Sequence, residues 1–92
     1  MESEQLRIFA AVAKYKSFSE AARRLYISHS TTSRAVSALE KELGVKLVER
    51  DNHVSALTPA GQVLLEETHK LLAALDESIE RIKAAAEREK SE

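Results

Sequence analysis

Apolar residues recur along this chain at spacings of three and four, and polar turns interrupt them at short intervals. Leu6, Phe9, Ala10 and Ala13 form one such stripe, which predicts a first helix over about residues 4–15 with Ser3 as its N-cap. Ser19 offers the next cap, for a short helix ending near Tyr26, with Phe18 stapling its entry and Ala21, Ala22 and Leu25 as its packing face. Ile27 reads as a buried turn residue. Ser28 caps a third helix over about residues 29–43, with Val36, Leu39 and Leu43 turned inward and Gly44 at its left-handed end. Val45 and Leu47, then Val54 to Leu57, flank the polar Asp51-Asn52-His53 and predict two short strands of a hairpin.

Thr58-Pro59 is a helix start, a cap followed by proline at the first helical position. Nothing then breaks the helix before about Glu89, a run of about 30 residues and about 45 Å. Leu65, Thr68, Leu72, Leu75, Ile79, Ile82 and Ala86 follow a 3-4-3-4 repeat, with Leu64 and Leu71 beside them. Such a seam pairs with another helix or packs on the chain's own head. Residues beyond Leu75 reach too far for a small head to cover, so the seam is expected at a dimer interface. The closing EREKSE reads as a frayed polar tail.

Composition narrows the function. The 92 residues suffice for one small domain and an appendage. At 43% hydrophobic and 32% charged, with two Gly and one Pro, the chain is expected to be folded and mainly α-helical. There is no Cys, and His29, His53 and His69 are scattered, so no metal or other cofactor is expected. No nucleophile elbow or Gly-rich loop frames a catalytic set, and no enzyme activity is expected. The acidic start is unlike a secretory signal, and no apolar run approaches the roughly 20 residues of a membrane span. These features fit a cytoplasmic protein. The net charge is −1, but residues 1–60 carry nine Lys/Arg against seven Asp/Glu, and residues 61–92 five against eight. Any nucleic-acid affinity must come from a few placed contacts rather than a broad basic face.

Residues 17–50 hold those contacts. Two short helical patterns flank a tight polar turn, and the second opens with hydroxyls, a histidine and an arginine, as a helix entering the major groove requires. Taken in order, Leu6-Arg7-Ile8-Phe9, Ala11-Val12-Ala13, Ser17-Phe18-Ser19-Glu20-Ala21-Ala22, Leu25, Ile27-Ser28, Ser33-Arg34, Leu39-Glu40, Leu43-Gly44-Val45, Leu47, Glu49-Arg50, Leu57-Thr58 and Gly61 resemble the DNA-binding region of a LysR-type transcriptional regulator. The resemblance runs from residue 4 to about residue 80.

It implies a winged helix-turn-helix head, residues 1–57, followed by a dimerising linker helix, residues 58–92. Linker helices of this family pair antiparallel, and the homodimer binds interrupted inverted repeats of double-stranded DNA near bacterial promoters, at the nucleoid. A small-molecule effector would belong to a further C-terminal domain of a parent protein. The resemblance turns His29, Ser30, Ser33 and Arg34 toward the groove and Thr32 inward. The expected DNA-binding set is Ser28, His29, Ser30, Thr31, Ser33, Arg34, Ser37, Arg50 and His53. Arg34 can pair bidentately with guanine or grip a phosphate. Arg23 and Arg24 read as a solvated face.

Three positions depart from the family pattern. His29 stands where Gln is common, which changes the base step preferred. Thr32 replaces an apolar residue, which loosens the head or bonds back to its own helix. The wing tip lacks the family's arginines, with Arg50 only at its base, which weakens phosphate binding. A competing reading follows: an interaction module that pairs with a full-length relative, titrates it, and binds DNA weakly.

Overall fold

The computed structural model describes residues 1–51 and 54–90. Its elements run α1 (Ser3–Tyr15), α2 (Phe18–Leu25), α3 (His29–Leu43), β1 (Val48–Asp51), β2 (Val54–Leu57) and α4 (Pro59–Lys90). The expected mainly helical fold, three helices, a hairpin wing and a long helix, is present.

Both early helix starts lie one or two residues ahead of their expected caps. Glu2, not Ser3, caps α1, and its amide donates to Gln5 Oε1 at 3.0 Å. Ser17, not Ser19, caps α2, and its Oγ accepts from the Glu20 amide at 3.0 Å. The reason is the residue three places on. Gln5 closes a capping box with Glu2, and Glu20 follows Ser17 at the same spacing with its amide on Ser17 Oγ and its carboxylate on Arg23 and Arg24, whereas Ser3 and Ser19 are followed there by Leu6 and Ala22. Phe18 is therefore the first residue of α2 and part of the core rather than a staple outside it.

The core gathers Leu6, Phe9 and Val12 of α1, Phe18 and Ala21 of α2, Val36 and Leu39 of α3, Leu47 and Val48 at the wing, and Leu64 of α4. Ile8 is buried as well, while Ala10 and Ala13 are half-buried. Leu25 and Leu43, expected inside, are exposed, and Ile27 is only half-buried. Each lies at or next to the end of its helix, where the chain turns away from the core. Lys16 and Tyr26 adopt left-handed conformations at the ends of α1 and α2, with φ of 54° and 57°. Gly44 does so after α3, at φ 70°.

The wing pairs Val48 with Leu57, Glu49 with Ala56, Arg50 with Ser55 and Asp51 with Val54, antiparallel. Val45 precedes the strand and is exposed. Glu40 of α3 sets the wing's entry, its Oε2 accepting from the amides of Leu47 at 2.8 Å and Val48 at 3.3 Å. The Ser55 amide donates to the Lys16 carbonyl at 3.1 Å, tying the hairpin to the α1–α2 corner.

Thr58 joins wing and long helix as expected. Its Oγ1 donates to the Lys46 carbonyl at 2.7 Å and accepts from the Gly61 amide at 3.0 Å, and its own amide donates to the Leu47 carbonyl at 3.0 Å. The first turns of α4 then pack on the head. Leu64 enters the core, Thr68 is fully buried, Leu65 and Leu72 are half-buried, and Arg7 Nη2 lies 3.4 Å from Asp76 Oδ1. The packed unit thus extends past residue 57. The expected seam is corrected at its start, because Thr68 is covered by its own head and is not available to a second helix. Leu75 and Ile79 are exposed, and Ile82 is 68% exposed. Ala86 is exposed too. The helix stays regular to Lys90, so most of the tail expected to fray is helical. The molecule extends 59 Å along its longest axis and 26 Å and 19 Å across.

Candidate nucleic-acid interface

α3 presents two faces. Thr32, Ala35, Val36 and Leu39 are buried beneath it. Ser30, Arg34, Ser37 and His29 are exposed, and Ser33 is half-buried at their edge. Helical geometry places Ser30, Arg34 and Ser37 on one outward ridge, one turn apart. Thr32 answers the second departure from the family pattern. Its hydroxyl is fully buried and donates to the Ser28 carbonyl at 3.0 Å, so the extra polar group is satisfied within the helix.

The start of α3 is held by its own hydroxyls. Ser28 Oγ accepts from the Thr31 amide at 3.0 Å and donates to Thr31 Oγ1 at 2.8 Å. Ser28 and Thr31 therefore order the first turn, and the Thr31 hydroxyl keeps its proton to donate elsewhere. Thr31 and Arg34 border a shallow groove whose other wall is the start of α1, with Glu2, Glu4, Gln5 and Ile8. No acidic residue sits in the first turn of α3, unlike α1 with Glu4 and α2 with Glu20. Its free amides keep their positive end uncompensated.

The arginines of the head divide clearly. Arg7 pairs with Asp76. Arg23 and Arg24 both bond Glu20, with closest contacts of 2.8 Å and 2.9 Å, and Arg24 also lies 5.2 Å from the Tyr15 ring centroid. Hydrogen bonds from Arg23, then Arg24, hold the Glu20 carboxyl below its usual range, and the Glu20 bond raises Arg24 in turn. Arg50 bonds Ser37 and covers Phe18. Among the described residues, Arg34 alone of these arginines has no hydrogen-bond or ion-pair partner in the chain. It is the cation left free on the outer face of α3.

Of the residues expected to meet DNA, Ser28, His29, Ser30, Thr31, Ser33, Arg34 and Ser37 share the start and outer side of α3, and Arg50 lies over that same side from the wing. His53 lies outside the described residues. Two residues escaped the sequence reading. Phe18 lies between His29, with ring centroids 6.2 Å apart and tilted 44°, and the Arg50 guanidinium. Tyr26 is 95% exposed in the turn before α3. No spacing rule marks either position, since an aromatic residue at a helix boundary reads as core or turn. Among the described residues, no group of His, Asp or Glu could hold a metal ion, and no helix is long and apolar enough to cross a membrane.

Comparison with known proteins gives one consistent answer. The chain is 42% identical over 92 residues to the HTH-type transcriptional regulator TfdT of Cupriavidus pinatubonensis, covering all of this chain and 40% of TfdT. It therefore spans less than half of that regulator's length. Among solved structures, the CbnR_DBD–DNA complex matches with a TM-score of 0.90 at 41% identity, over 94% of this chain and 99% of that one. The BenM_DBD/catB site 1 DNA complex matches with a TM-score of 0.88 at 37% identity, over 94% and 96%. Residues 3–62, from α1 through the wing into the start of α4, match the family described as bacterial regulatory helix-turn-helix protein, lysR family, and the chain belongs to that family.

Proposed function

We propose that this chain binds double-stranded DNA as a homodimer and forms the DNA-binding part of a bacterial transcription regulator. The observation that carries the reading is the outer face of α3. It gathers Ser30, Ser33, Ser37, His29 and the unpartnered Arg34 on a helix whose other face is locked into the core. The similar structures named above are complexes of DNA-binding domains with DNA, which supports the same role here. In this reading α3 lies in the major groove, Arg34 reads a base or grips a phosphate, and Arg50 with the amides at the start of α3 holds the backbone. Residues 1–57 carry the DNA contacts, and residues 58–92 pair with a second copy through Leu72, Leu75, Ile79, Ile82 and Ala86.

The role is regulatory rather than catalytic, in keeping with the regulators to which the chain is related. The setting proposed is the bacterial cytoplasm, at the nucleoid. Selection from a random duplex pool at about 100 mM salt, followed by sequencing, tests the reading; the salt is fixed because affinity depends on it. The expected product is an interrupted inverted repeat with half-sites about one helical turn apart, 34–36 Å. No enrichment by an intact dimer would reject DNA reading and favour a module that acts by pairing with a longer relative.

A further inference from the structure

We propose that Phe18 is a positioning residue for Arg50, holding that cation on the DNA-facing side of the head. The inference rests on the DNA-binding reading above. Arg50 is the single Lys or Arg between residues 48 and 57, so the hairpin has no other permanent cation to offer a phosphate. Its side chain does not follow the hairpin outward. The guanidinium carbon lies 4.5 Å from the Phe18 ring centroid, and Nη2 lies 3.4 Å from Ser37 Oγ. The cation is thereby drawn across the first turn of α2 onto the outer side of α3.

Phe18 can anchor it because the ring is itself fixed. It is 9% exposed and belongs to the core cluster, and α2 starts at this residue under the Ser17 cap. His29 leans on the same ring. A planar guanidinium resting on an aromatic face and bonded to a neighbouring hydroxyl has lost much of its rotamer freedom before any ligand arrives. Less ordering then remains to oppose binding. The wing's shortage of cations at its tip is offset by one cation held in place at its base.

A double-variant cycle tests this. Binding of wild type, Phe18→Leu, Arg50→Met and the double variant to the selected duplex is measured across a salt series, with each variant first melted to establish that it folds. Leu keeps most of the apolar bulk but has no aromatic face. Arg50→Met removes one phosphate contact from each protomer and should lower the dimer's salt slope by about 1.8. Phe18→Leu should weaken binding by up to about two- to fivefold per half-site, the worth of an exposed cation–π contact. In the Phe18→Leu background, Arg50→Met should cost less than it does in wild type.

An equal cost of Arg50→Met in both backgrounds overturns the inference and leaves Phe18 as core alone. If Phe18→Leu does not fold, Ser37→Ala, at an exposed position, takes its place in the cycle. Its effect should be smaller once Arg50 is gone, by the part that acts through the tether, and an undiminished effect overturns the tether. A wild type that binds no duplex removes the DNA-binding reading and this inference with it. A wild type that binds while Arg50→Met changes nothing removes the inference only.

Discussion

Gly61→Ala sets two physical effects against each other. Helix propensity alone favours alanine by about 1 kcal/mol in a helix interior. Packing opposes it. A Cβ on Gly61 would lie 2.1 Å from the Leu47 carbonyl oxygen and 3.0 Å from its carbon, well inside the 3.4 Å at which ordinary contact begins. Both are backbone atoms, so no side-chain rotation relieves the clash. Leu47 has little room to retreat. Its carbonyl accepts from Thr58, its amide donates to Glu40, and its side chain is 1% exposed. The start of α4 must therefore withdraw by more than an ångström. That disturbs the Thr58–Leu47 hydrogen bond, worth about 1 kcal/mol. It also strains the seating of Leu64 and Thr68, at about 1–3 kcal/mol for overpacking. The expected net loss is about 1–3 kcal/mol. Thermal unfolding followed by circular dichroism, at fixed protein concentration, should show a Tm lower by roughly 5–20 °C. A Tm equal to or above wild type would mean that propensity wins and that α4 does not sit against Leu47.

Four further outcomes follow. Thr58→Ala removes the cap of Gly61 and the bond to the Lys46 carbonyl, and should cost about 2 kcal/mol in urea unfolding; Thr58→Ser should recover most of it, and a silent Thr58→Ala would discount the joint. Among the described residues, Thr68 Oγ1 is buried without a hydrogen-bond partner. Thr68→Val should therefore be neutral or stabilising by up to about 1 kcal/mol, and a clear loss would reveal a bond at that hydroxyl. The Glu20 carboxyl is held low by Arg23 and Arg24, so its ion pairs are present above the unfolded carboxylate range and are lost as pH falls through the lowered folded value. In an NMR pH titration, Arg23→Gln with Arg24→Gln should move Glu20 upward, and no movement would remove that cause. Finally, Ile79→Glu with Ile82→Glu should shift the protein from dimer toward monomer in sedimentation, because both residues are exposed beyond the head. An unchanged dimer would place the seam elsewhere.

What the sequence made legible depended on how local the signal was. The periodic stripes of α1, α3 and α4 were readable because each repeats over several turns, and Thr58-Pro59 and Gly44 marked their boundaries by chain stereochemistry. The caps of α1 and α2 were misplaced by one or two residues. A serine suggests a cap by itself, but Glu2 with Gln5, and Ser17 with Glu20, complete one at the right spacing. Thr68 fitted the heptad and yet belongs to its own head, because a repeat identifies a face without saying what covers it. The inward place of Thr32 was foreseen, and of the two outcomes considered the bonded one holds. The wing's attachments could not be read at all. Glu40 capping Leu47 and Val48, and Arg50 lying on Phe18, join residues far apart in sequence through side chains whose types fit many other places.

The central claim is that the outer face of α3, with Arg50, is the surface that meets DNA. Titrating the selected duplex into the nitrogen-15-labelled chain and following its amide resonances tests this most directly. The account predicts that the largest shifts fall on residues 28–37 and around Arg50, and that Arg34→Ala, which should cost about 1–3 kcal/mol of specific binding, diminishes them. Shifts gathered instead around Lys14, Arg24 and the side of α4 that carries His69, with residues 28–37 unmoved, would contradict it.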